Sequence, residues 1–220
     1  MKNWFPFTDY DFYAYLTSGS LSLAAWDYCF NDAAWLLRTD WSFMQGVLFV
    51  AGAYVIGHVV ASFSTILLEY GLARRVLTPP VEILLGRKVP NFMERLVAHG
   101  VGRYYTKSSA SDQMLAKASG LLKIDQQSLV SESVFLVAYS QARGDKDTAQ
   151  RMDEFRNLYG FCRNVAFVGF ATSIAAALKP GPAAVTLSLG SLVIALAMTA
   201  RFLKFYSTFA AEVLRSLLKN

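Results

Sequence analysis

Tyr54, His58, Ser62, Thr65 and Glu69 follow one another at intervals of four, four, three and four residues, inside one of the most apolar stretches of the chain. On a helix that spacing sets all five along a single stripe. An imidazole titrates near neutral pH when hydrated, and a carboxylate lies one stripe-length away. The stripe therefore has the groups for proton transfer or for lining a polar path. The same groups also suit a clasp, in which a neutral His58 hydrogen-bonds a neighbouring helix, with Asp27 as the partner. Beside the stripe, Ala53, Gly57 and Ala61 repeat every four residues, and small side chains at that interval let a second helix come close. A second row of this kind is Ser191, Ala195 and Thr199. Together the rows predict faces packed against protein rather than lipid.

A second set of groups is cationic. Arg74, Arg75, Arg151, Arg156, Arg163, Arg201 and Lys204 all fall where apolar segments give way to polar ones. Read as a basic collar at the cytoplasmic surface, they suit an anion, such as a nucleotide messenger or a regulatory lipid. They equally suit topological anchoring, with Asp153 and Glu154 as partners. Arg95 and His99 have the residue types of a HEPN ribonuclease motif, but the interval between them is shorter than that motif needs. Cys29 and Cys162 lack a metal-type spacing, and two histidines are too few for a His-rich site. No metal and no cofactor is expected, and no catalytic constellation stands out, so the chain reads as non-enzymatic.

These groups need helices to hold them. The chain has 220 residues, 54% of them apolar and 17% charged, against roughly 25% charged in a typical soluble domain. Four apolar segments are expected to span a membrane: Tyr13 to Phe30, Gly46 to Leu68, Asn164 to Leu178 and Pro182 to Ala200. The first is aromatic-rich and carries Asp27, and an interfacial helix is its alternative. Lys179, Pro180 and Gly181 predict a tight hairpin before Pro182 starts the last helix. One long helix is expected from about Thr148 to Leu178. The polar stretch between the second and third spans reads as helices, over 91–100, 108–122 and 125–144. The fold class is thus all-α and polytopic, with three regions: N-terminal membrane helices over 1–68, a cytoplasmic helical region over 69–160, and a C-terminal transmembrane hairpin with its tail over 161–220.

The net charge of +5 is spread over the segments that follow the second and last spans. That is the positive-inside pattern, which puts both termini and the helical region in the cytoplasm and speaks against direct nucleic-acid binding. The N-terminus has neither the basic nor the apolar region of a cleavable signal. Aspartate, histidine and arginine within the spans need partners away from lipid, and symmetric association supplies them, so a homo-oligomer, a tetramer before a dimer, is expected.

The opening FTDYDFYAYLTSGSLSLAAWDYCF, followed by a glycine-containing span, resembles small four-span inner-membrane proteins of bacterial anti-phage defence systems, such as the Kiwa membrane subunits. The resemblance is one of length, layout and N-terminal flavour, and it carries no residue across. It implies a context of anti-phage defence; the polar stripe beside a small-residue row, without catalytic chemistry, points to a non-enzymatic oligomeric inner-membrane sensor or effector, channel-like, whose cytoplasmic region takes a ligand or a protein partner. A proton-coupled transporter subunit or membrane enzyme using His58 and Glu69 is the second reading. An anchor that docks a cytosolic protein is the third.

Overall fold

A computed structural model describes residues 11–90 and 106–219, with side chains from residue 14 onward. The expected helix over 91–100, with Arg95 and His99, lies outside the described residues. Every regular element among the described residues is helical. Helix α1, Thr17–Phe30, is preceded by π-wound turns over Asp11–Leu16. Helix α2, Phe43–Ser64, starts at a capping box: the Ser42 hydroxyl accepts from the Gln45 N–H at 3.3 Å, and the Gln45 side chain accepts from the Ser42 N–H at 3.0 Å. It continues as a wider π-wound segment, Thr65–Val76, and the short α3, Pro80–Leu84, follows. Helices α4, Ser111–Leu122, and α5, Ser131–Gly144, precede two long ones: α6, Lys146–Ala177, and α7, Pro182–Arg215.

Among the described residues, three helical stretches are long and apolar enough to cross a membrane: Phe43–Leu84, Lys146–Ala177 and Pro182–Leu218. Their apolar side chains point outward in a way a water-soluble fold avoids. Val55, Val59, Phe63 and Ile66 on one, and Val185, Leu189, Val193 and Leu196 on another, are all at least half exposed. The chain is therefore a multi-pass membrane protein by its helices. The long helix and the hairpin occur where sequence places them. Gly181 takes φ +115°, a left-handed value that a β-carbon strains, and this turns α6 into α7. The expected helix over 125–144 begins later, at Ser131. Asp125 instead closes a local turn, its carboxylate accepting from the Gln127 N–H at 3.2 Å and its carbonyl from the Ser128 N–H at 3.0 Å.

The chain divides into two units. One holds residues 1–70 and 160–202, the other 71–159 and 203–220. In the first, α1 and α2 run antiparallel. A β-carbon on Gly19 would run into the Ala53 carbonyl, and one on Gly57 into the Tyr15 carbonyl. The second unit has its own apolar core, including Leu84, Met114, Val134, Met152, Val213 and Leu214. Burial of each larger side chain there stabilises by about 1.5–3 kcal/mol. The polar stretch between spans is thus a packed helical module rather than a linker, and it takes in the C-terminal residues 203–219.

Candidate functional site

Within the first unit, four polar side chains meet away from solvent. Arg163 of α6 is 6% exposed and donates to the Glu69 carboxylate at 2.6 Å; Glu69 is 8% exposed. The Arg163 Nε donates to the Ser64 hydroxyl at 3.2 Å, and its remaining nitrogen reaches the Asn164 side-chain oxygen at 3.4 Å. Ser64 donates to that same oxygen at 2.6 Å. The Asn164 amide donates in turn to the Ala14 carbonyl at 3.0 Å. One network therefore ties the turns before α1, the end of α2 with its π-wound continuation, and α6.

The local sequence explains each member. Ser64 is the last residue of α2, and Glu69 sits on the π-wound turns, where wider winding shifts side chains off the α stripe. Arg163 and Asn164 are neighbours on α6, so between them they reach Glu69, Ser64 and Ala14. A carboxylate and a guanidinium taken out of water are tolerable only with excellent geometry and with their other polar atoms satisfied. The Ser64 hydroxyl and the Asn164 amide fill that second role here.

The stripe read from sequence is divided by the fold. Glu69 is buried in the network, whereas His58 and Ser62 are exposed and Tyr54 and Thr65 are half-buried. The imidazole of His58 stacks on the Tyr15 ring, centroids 3.9 Å apart, and meets Tyr54 edge-on at 4.7 Å. The hydroxyls of Ser62 and Thr65 turn back to their own helix, onto the carbonyls of His58 and Ala61. Asp27 is not the partner of His58. Its carboxylate accepts from the Asn31 amide at 2.8 Å and from the Trp35 and Leu36 backbone N–H groups at 2.9 Å each, so it shapes the turn that follows α1.

Both small-residue rows have neighbours in the same chain. Ala53, Gly57 and Ala61 are buried, and α1 with its leading turns lies against Ala53 and Gly57. Ser191 and Ala195 face Gly169 of α6, where an added β-carbon would meet the Ala195 side chain at 3.0 Å, while Thr199 bonds the Ala195 carbonyl at 2.8 Å. Asp27 and Arg163 likewise find their partners within the chain, so none of these groups requires a second copy.

The cations do not behave as one collar. Arg163 belongs to the buried network. Arg151 pairs with Glu212 at 2.9 Å and Arg156 with Asp153 at 3.4 Å, both in the second unit. Arg74, Arg75 and Arg201 are exposed, and Lys204 is half-buried. Sequence reasoning missed Ser64 and Asn164. An asparagine inside an apolar helix was the available signal, because such a side chain in lipid seeks a partner. It also missed the far end of the unit, where Lys179 donates to Asp32 at 2.6 Å and to the Tyr28 carbonyl at 3.0 Å. The Asp32 carboxylate raises the Lys179 pKa.

No protein-family model, no curated protein and no solved structure matches the chain.

Proposed function

We propose that the chain is a non-enzymatic inner-membrane sensor or effector. In this reading the cytoplasmic helical unit receives a ligand or partner, and the Glu69–Arg163 clasp holds the membrane helices in their resting arrangement. The observation that carries the proposal is the buried 2.6 Å pair joining the continuation of α2 to α6. An ion pair saturated by Ser64 and Asn164 is suited to holding helices together and, when it parts, to releasing them. Glu69 is committed to a guanidinium, which weighs against its serving as a proton carrier with His58.

Four spans with both termini in the cytoplasm fit the same geometry. Ala14 bonds Asn164, and Tyr28 bonds Lys179, so α1 with its leading turns keeps step with α6 for about 21 Å of helix rise. That length, set against a roughly 30 Å core, supports reading α1 with its leading turns as a fourth span rather than as an interfacial helix. The anti-phage context rests on the layout and the N-terminal sequence alone, and assembly into a homo-oligomer is carried in this proposal without a residue assigned to it.

The test is the membrane potential of bacteria expressing wild type, Glu69→Gln or Arg163→Gln at matched membrane levels, read with a potential-sensitive dye. The expected result is polarised cells with wild type and depolarised or dye-permeable cells with either variant. Equal polarisation in all three strains would remove the latch from the proposal.

A further inference from the structure

We infer that the second unit contains a binding site for a phosphate-bearing ligand, formed where residues 106–109 face the last turns of α7. A cavity of about 500 Å³ lies there, within the range of small-molecule sites. Among the described residues, two cations line it, Lys107 and Arg215, and no carboxylate does. Hydroxyls from Thr106, Ser108, Ser109 and Thr208 line it as well, and Leu84, Met114 and Leu214 supply an apolar floor. Cations and hydroxyls converging over an apolar floor match a ligand with a charged phosphate and a less polar body.

Lys107 is held rather than loosely placed. Its aliphatic stem lies over Gly86, where a β-carbon would come within 2.7 Å of Lys107 Cδ, and Gly86 has the left-handed φ of +70° that keeps a glycine there. The carboxylates beside the two cations are weak competitors. Asp112 stands 3.4 Å from Lys107 and Glu212 3.7 Å from Arg215, in pairs whose cationic side chains are 56% and 66% exposed. The Lys107–Asp112 pair is exposed on both sides and contributes little, so a multiply charged phosphate displaces it at small cost, while Glu212, its side chain 13% exposed, is held by Arg151 at 2.9 Å and leaves Arg215 only the longer contact.

The site supplies the ligand class for the sensor reading and rests on it only for its biological meaning. Binding fails or succeeds independently of the Glu69–Arg163 clasp. The phosphate has two sources, a soluble nucleotide or a lipid headgroup, and the experiment separates them. Full-length protein in detergent is titrated by calorimetry with pyrophosphate, ATP and glycerol 3-phosphate at constant ionic strength. Wild type, Lys107→Gln/Arg215→Gln, Ser109→Glu and the off-site control Lys146→Gln, at an exposed position, are compared, with circular dichroism reporting the fold of each. Saturable binding of at least one probe is expected, weakened about ten-fold or more in either cavity variant and unchanged in the control. Preference for ATP or pyrophosphate assigns a soluble ligand, and preference for glycerol 3-phosphate a lipid headgroup. No saturable binding by any probe, binding left intact in both cavity variants, or equal weakening in Lys146→Gln overturns the inference.

Discussion

Glu69 and Arg163 stand 94 residues apart in sequence and 2.6 Å apart in the fold. Glu69→Gln leaves a guanidinium in a dry setting without its counter-charge, a loss of about 3–5 kcal/mol for a buried pair. The expected result is a clearly lower melting midpoint in detergent for Glu69→Gln, partly recovered in Glu69→Gln/Arg163→Gln; a double variant no better than the single one contradicts the pairing. A second residue-scale expectation concerns pH. Asp145, at the start of α6, accepts from the Thr148 hydroxyl and from Lys219 at 3.1 Å, and these hold its pKa down from 3.8 to about 2. A depressed carboxyl stabilises the fold above its unfolded value and loses that contribution as pH falls through the folded one. Asp145→Asn should therefore melt below wild type at neutral pH, with the gap closing as pH falls from 3.8 to about 2. A gap that persists at the lowest pH contradicts the assignment. Sequence singled out both members of the clasp, but as the end of a stripe and as part of a collar. Their pairing was not legible, because it depends on the register of α6 against the π-wound turns, which no local periodicity encodes.

The elements were more legible than their contacts. Gly181 and its flanking prolines announce the turn between α6 and α7, and the uncharged run after Pro182 announces the last helix. The π-wound continuation of α2 carries no such signal, because its residues read as ordinary helix formers. The small rows signalled close helix approach, and the structure supplies the neighbour: α1 for Ala53 and Gly57, α6 for Ser191 and Ala195. Gly57→Leu thus acts inside the chain first. Its side chain meets the Tyr15 backbone, and backbone cannot yield as a flexible side chain can. A destabilisation of roughly 3 kcal/mol or more is expected, beyond the usual range for overpacking because α1 must move as a whole. The check is thermal unfolding of Gly57→Leu beside Gly52→Leu, a position with open space around it. Equal melting midpoints would contradict the α1–α2 packing.

At the scale of the whole molecule, composition and segment lengths disclosed a membrane protein with a helical module between its spans, and three long apolar helices bear that out. The number of crossings was harder to read, because α1 is aromatic and carries Asp27. The carboxylate of that residue is spent on the turn that follows, so α1 stays compatible with lipid. Lys179 then joins that turn to the hairpin between α6 and α7, which places both connectors at one end of the unit. Four crossings with residues 71–159 in the cytoplasm are the proposed topology, and labelling of single cysteines in intact cells tests that proposal most directly. Cys29 and Cys162 are first replaced, and Thr39→Cys, Ala183→Cys or Gln127→Cys is then introduced, each at an exposed position. An N-terminal epitope tag is probed in parallel. A membrane-impermeant maleimide is expected to reach positions 39 and 183 from outside, while position 127 and the tag respond only after the cells are opened. Labelling of position 127 in intact cells, or of position 39 and the tag from the same side, would contradict it.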